Sequence, residues 1–348
     1  MSEIPSEPAE EVPFAQAEFE QITTMASENF QIEEALLEHN IPTYYLKQPQ
    51  ETKQAFLRLL KKLEPMNFIA ILRRHDGRIV LKIIPKPSTK PSNVLINWLL
   101  FFATIGTTFV TGYLLSVGLI DPIFGGATYA LAIMAVSGVH EMGHKLTANK
   151  EGIEATPPYF IPGPPPMLGF GTFGAVIFQK SLPPNKDMLF DIGSSGPIFG
   201  FIVATIVTAV GMTMAIPAVP PPEGGTLLPT PLLSILIYEL LFNFGVAPSA
   251  PPEPQKLFMH PVELAGWFGM VVTMLNLLPA AMLDGGHVAR SLAGEKTRTV
   301  LMVLSIVLLI VSGFWLMAVF ILFIGMQRHP GPLDDVSSLS TSRINVDL

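Results

Sequence analysis

Between residues 94 and 325 the chain carries apolar stretches that are too long and too frequent for the core of an ordinary globular domain. The first, VLINWLLFFATIGTTFVTGYLLSVG (94–118), is long enough to cross about 30 Å of hydrocarbon. Others run roughly from 122 to 146, from 188 to 216 and from 262 to 282. The last, Thr299 to Gly325, would be some 40 Å long as one helix. PLLSILIYELLFNFG (231–245) is too short to span and contains Glu239, so it reads as an interfacial or re-entrant helix. Charged residues make up only 14% of the chain against about 25% in average proteins, as expected for a polypeptide solvated by lipid.

Basic residues set the expected orientation, because loops rich in Lys and Arg stay on the cytosolic side. Lys82, Lys86 and Lys90 precede the first span. Lys145, Lys150, Lys180 and Lys186 follow the second, and Arg290, Lys296 and Arg298 follow the 262–282 segment. The opposite loops, 117–122 and 217–261, hold only Lys256. Arg298 and Arg328 flank the last run, and a helical hairpin broken near Ser312-Gly313 keeps both on one side. The expectation is a polytopic α-helical membrane protein with six transmembrane segments, both termini in the cytosol, and the lipid bilayer as its surroundings.

Before the first span the composition changes. Residues 1–13 are acidic and Pro-rich, which predicts disorder. They lack the basic and apolar regions of a signal peptide. Residues 14–92 predict a small soluble α/β N-terminal domain. QETKQAFLRLLKKLE (50–64) has helical spacing at Phe56, Leu59, Leu60 and Leu63, and residues 67–85 read as two strands about Asp76-Gly77. Such a domain suits a regulatory module or a cap that only stabilises the start of the chain. Residues 94–326 form the membrane core, and 327–348 a C-terminal tail. The net charge of −7, much of it in the acidic start, argues against a nucleic-acid partner. With no cysteine, any metal must be held by His, Asp or Glu.

One apolar run ends in HEMGH (140–144). HExxH on a helix puts His140 and His144 a turn apart on one face, where both imidazoles can bind one Zn²⁺. Glu141 beside them can take a proton from a metal-activated water. The alternative is a pair of core histidines, but ionisable groups in a span are costly to keep. A zinc protease needs a third ligand. Thr147 and Lys150 stand where the metzincin pattern would continue, and Glu151 and Glu154 come too soon, in a charged loop. Asp284 in NLLPAAMLDGGH (276–287) is the best candidate, because it ends another span at the same membrane face. Pro279 interrupts that helix, and Gly285 and Gly286 permit close backbone approach. The alternative for Asp284 is an N-cap of the helix that follows.

GTFGAVIFQ (171–179) follows the Pro- and Gly-rich stretch 157–170, and Val176, Ile177 and Phe178 favour a strand. Non-helical backbone at membrane depth is tolerated where it lines a cavity or is covered. A strand made of Gly174, Ala175, Val176, Ile177 and Phe178 could pair with an unwound substrate; an ordinary surface loop is the other reading. His287, three residues after Asp284, reads as a cap or loop-facing residue, with a supporting place beside the metal ligands as the other reading; His260 reads as interfacial, and His329 as following the last helix.

His140-Glu141-x-x-His144 together with Asn276-x-x-Pro279-x-x-x-x-Asp284-Gly285 resembles the site-2 protease family of intramembrane zinc metalloproteases. The resemblance covers roughly residues 94–326. It implies zinc held by His140, His144 and Asp284, with Glu141 as general base and Asn276 holding substrate or stabilising an oxyanion. It also implies transmembrane proteins as substrates. No PDZ-like segment is visible between the spans. The N-terminal domain and GTFGAVIFQ are closer to the PDZ-less archaeal, cyanobacterial and plastid branch, with its small membrane-associated β element. A metal transporter would spread its ligands over several spans, and a non-catalytic membrane scaffold would have no use for Glu141. The pattern sets no natural substrate, trigger or oligomeric state.

Overall fold

The structure is a computed structural model that describes residues 16–88, 92–165, 170–217, 230–246, 257–325 and 329–344. The expected acidic tail, Lys90, Lys256, Arg328 and residues 166–169 of the Pro-rich stretch lie outside the described residues. The chain divides into two compact units. One comprises 1–90, 182–189 and 330–348, and the other 91–181 and 190–329.

The first unit is built on a four-stranded antiparallel sheet. In chain order its elements are α1 (Gln16–Ser27), β1 (Ile32–Glu38), β2 (Ile41–Leu46), α2 (Lys53–Leu63), β3 (Phe68–His75) and β4 (Arg78–Pro85), with the strands ordered β1-β2-β4-β3. α2 buries Phe56, Leu59 and Leu63 on one face, at the spacing of a 3.6-residue period. The β3–β4 hairpin turns at Asp76 (φ 47°) and Gly77 (φ 79°), the two left-handed positions that a two-residue loop needs to match strand twist. His39 (φ 49°) and Asn40 (φ 61°) do the same for β1 and β2.

The C-terminal segment is part of this unit's core. Leu333 packs with Ile22, Tyr44, Phe56 and Leu72. Leu72 N–H donates to the Leu333 carbonyl (2.9 Å), and Asp335 N–H donates back to Leu72 (3.1 Å). Leu333 and Asp334 donate in turn to Pro183 and Pro184, both at 2.8 Å. The exposed edge of β3 is therefore covered by residues 333–335 and then by 183–185. Beyond them Asp187 is buried in a polar cluster. Its carboxylate accepts from Lys53 Nζ (3.0 Å), Ser340 N (2.8 Å), Ser340 Oγ (2.5 Å) and Arg343 (3.2 Å).

The second unit is mostly helical. It holds α3 (Val94–Ser116), α4 (Pro122–Lys150), β5 (Tyr159–Pro162), β6 (Thr172–Val176) and most of α5 (Lys186–Thr213). Then come β7 (Ile216–Pro217), α6 (Leu232–Asn243), β8 (Leu257–Phe258), α7 (Pro261–Asn276), α8 (Asp284–Leu292), α9 (Glu295–Val311) and α10 (Trp315–Gly325). A one-turn α11 (Thr341–Ile344) ends the described chain. Among the described residues α3, α4 and α5 are long and apolar enough to cross a membrane; α6 and α10 are shorter apolar helices. Exposed Val, Leu, Ile and Phe line α3, α9 and α10, a surface suited to lipid.

Two boundaries differ from the sequence expectation for physical reasons, while the break of the last apolar run falls at Ser312-Gly313 as expected. α4 runs on to Lys150, so the HEMGH lies inside the helix and is held by a full turn on either side. α7 stops at Asn276, short of 282, because Pro279 cannot donate and Ala281 takes a left-handed φ of 50° in the turn before α8. The last apolar run is broken between α9 and α10. Gly313 (φ 82°) donates to Ile310 and Phe314 to Leu309, a Schellman closure that ends α9.

Candidate metal centre

His140, Glu141 and His144 are all buried on α4. The two imidazole centroids are 5.1 Å apart, as i and i+4 on one helix face require. His144 Nδ1–H donates to the Ile192 carbonyl of α5 at 2.7 Å. A carbonyl only accepts, so the proton sits on Nδ1 and the Nε2 lone pair is left for a ligand. That Nε2 lies 3.2 Å from Asp284 Oδ1, and His140 Nε2 lies 3.1 Å from Asp284 Oδ2.

Asp284 is the first residue of α8, not its cap. Leu283 occupies the N-cap position and makes no side-chain cap bond. The carboxylate instead faces the two imidazoles. The turn that delivers it depends on Gly285 and Gly286: a side chain at either would collide with the backbone oxygens of Leu277, Leu278, Ala280 or Ala281. The close approach expected at these glycines is made by the preceding turn itself.

The donor atoms of His140, His144 and Asp284 all lie within 4.8 Å of one another, and theirs is the metal-capable His, Cys, Asp or Glu group found among the described residues. Neighbouring ligand atoms around tetrahedral zinc, at about 2.0–2.1 Å each, are separated by roughly 3.3 Å. Two imidazole nitrogens and a carboxylate at these spacings fit zinc, a borderline ion that accepts nitrogen and oxygen ligands.

The α5 glycines close the centre from one side. A Cβ on Gly196 would overlap the His144 ring, one on Gly200 would fall 2.6 Å from His140 Nδ1, and one on Gly193 would lie 2.9 Å from His287 Cβ. The sequence reading did not single out these three. Their spacing of three and four on an apolar helix was the available signal, although Pro197 among them reads as a breaker.

The other expected site residues are placed as follows. Asn276 is half-buried at the end of α7, before the turn to Asp284. Gly174, Ala175 and Val176 lie in β6, paired to β5 through Phe160↔Ala175 and Tyr159↔Val176. Gly174 has φ 92° and open space where a side chain would be. Ile177 and Phe178 follow the strand's end, where pairing shifts to a different segment: Phe178 N–H donates to Thr156 Oγ1 and its carbonyl accepts from Thr156 N–H, both at 3.0 Å. The other edge of β6 has no strand partner among the described residues. His287 pairs with His329 (2.8 Å), and His260 caps α7 by accepting from Val262 N–H (3.2 Å).

Comparison with known proteins matches residues 128–319 to the model of peptidase family M50. The probable zinc metalloprotease EGY2, chloroplastic, of Arabidopsis thaliana is 31% identical over 216 residues, 59% of this chain and 36% of its own length. The protein of the same name from Oryza sativa subsp. indica is 27% identical over 289 residues, 76% of this chain and 50% of its own. The probable zinc metalloprotease EGY1, chloroplastic, of Oryza sativa subsp. japonica is 30% identical over 48% of this chain and 28% of its own length. The chain thus spans half or less of these relatives. No solved structure matches it.

Proposed function

We propose that this chain, which belongs to peptidase family M50, is an integral membrane zinc metalloprotease that hydrolyses peptide bonds in the transmembrane segments of other membrane proteins. One observation carries the reading: the donor atoms of His140, His144 and Asp284 converge beside the buried carboxylate of Glu141. His140, His144 and Asp284 would hold the ion. When bound, zinc supplies Lewis acidity and makes hydroxide available near neutral pH. Glu141 takes the proton of the attacking water and returns it to the leaving amine. Ile192 keeps His144 in the tautomer that can ligate. Asn276, the last residue of α7, donates its amide to the substrate carbonyl as charge builds there.

Substrate backbone must unwind to be cut, because a helix shields its own peptide bonds. The edge of β6 that has no strand partner among the described residues offers a ladder for the unwound segment, and residues 157–165 and 170–174 border the entry for water and substrate. Replacing Val176 with Pro removes a ladder donor. Val176→Pro should lower cleavage on the order of tenfold, the worth of about one hydrogen bond, while zinc content stays at the wild-type level. Unchanged cleavage would exclude strand addition at β6.

The topology we adopt has six spans, α3, α4, α5, α7, α9 and α10, with both termini and the metal centre toward the cytosol. The Lys and Arg distribution supports it. The whole reading is tested by incubating the purified chain in detergent with a model transmembrane peptide. Chelation should abolish cleavage and added zinc should restore it. A chain that binds zinc and cleaves no transmembrane peptide would be a transporter or a scaffold instead.

A further inference from the structure

We infer that the sheet-bearing unit holds a second site, a cavity for a phosphorylated small molecule of nucleotide size. The cavity has a volume of about 660 Å³ and lies wholly within that unit, between the start of α2, the end of β3 and the segment 336–342. Small-molecule sites are commonly about 300–1,000 Å³. That is far more room than a lone phosphate needs.

Three features point to an anionic occupant. The first is the start of α2, an eleven-residue helix whose free N–H groups and dipole favour negative charge. Glu51 already sets one carboxylate oxygen 3.2 Å from Gln54 N–H there, so the other N–H groups of that turn are the ones left for a ligand. The second is Arg74, which also lines the cavity, an exposed cation with no ion pair among the described residues. The third is a pair of hydroxyl-bearing residues in its lining. Thr52 stands at the N-cap with 6% of its surface exposed, yet its side chain caps nothing. Ser337 is 8% exposed, and its Oγ has no hydrogen-bond partner. Both residues line this cavity, and native proteins seldom leave a buried hydroxyl such as that of Ser337 unpaired without a reason. Hydroxyls, helix N–H groups and a free guanidinium together form a donor set suited to phosphate oxygens.

The site also has a route to the rest of the molecule. Lys53 and Ser340 line the cavity and at the same time hold Asp187, the second residue of α5. An occupant therefore rests against the two residues that anchor the first turn of α5.

The test is isothermal titration of the full chain in detergent with AMP, ATP and inorganic phosphate as probes. At least one nucleotide should bind saturably and more tightly than inorganic phosphate. Arg74→Ala and Thr52→Val should each weaken it about tenfold, as loss of a charge-assisted or buried hydrogen bond does. Zinc content and nucleotide-free cleavage should be unchanged, which separates this site from the metal centre. Displacement of the nucleotide by vesicles of phosphatidic acid would assign the phosphate to a lipid headgroup; persistence would assign it to a soluble ligand. No binding of either nucleotide, binding equal to that of adenosine, or binding untouched by both substitutions would overturn the proposal.

Discussion

Glu141→Gln should bind zinc as the wild-type chain does and cleave a transmembrane peptide about 10²–10⁴-fold more slowly. The amide keeps the size and much of the hydrogen bonding of the carboxylate, so the helix and its two imidazoles stay in place. What is lost is the ability to take a proton from water. Glu141 is buried on α4 between the two histidines. The comparison to make is single-turnover cleavage at matched zinc content. Wild-type turnover by this variant would remove Glu141 from the chemistry.

Gly196→Ala should be nearly as damaging, although residue 196 ligates nothing. A methyl group there overlaps the ring of His144. The ring cannot swing aside without breaking its 2.7 Å bond to the Ile192 carbonyl, which comes from the same helix. The expected result is misplacement of His144, with activity reduced on the order of 10²-fold and zinc retention weakened. Gly106→Ala on α3 is the matched control, since a Cβ there meets nothing within 4 Å. Equal activity of the two variants would show that α5 can move away from α4 at no cost.

The convergence of the candidate metal ligands was legible because its signals are local. Two histidines four apart on a helix must share a face, and Asp284 follows a proline break that serves no packing purpose. Gly196 and Gly200 were not legible, because their role depends on which helix packs on α4, and an apolar run does not say which neighbour it meets. The same contrast holds among the strands. Asp76-Gly77 announces a hairpin through its chemistry, whereas His39-Asn40 adopts similar dihedrals without glycine, and β1 is exposed along most of its length. Strand β6 was placed nearly at the right residues, but β-branched propensity carried the expected segment past Val176, where the pairing in fact shifts. The C-terminal segment reads as a polar tail because PLDDVSSLSTSR has no periodicity. It is held by edge pairing at residues 333–335 and by the Asp187 cluster, both long-range in sequence.

The central claim is that His140, His144 and Asp284 share one zinc, and zinc content of Asp284→Ala against the wild-type chain tests it most directly. Both are purified in detergent without added metal and measured by elemental analysis beside an unchanged circular dichroism spectrum. The account predicts stoichiometric zinc in the wild-type chain, and a folded variant that loses most of it on dialysis, because two imidazoles alone leave the tetrahedral site without its third protein ligand. Full zinc occupancy in Asp284→Ala, with cleavage of the transmembrane peptide unchanged, would contradict it.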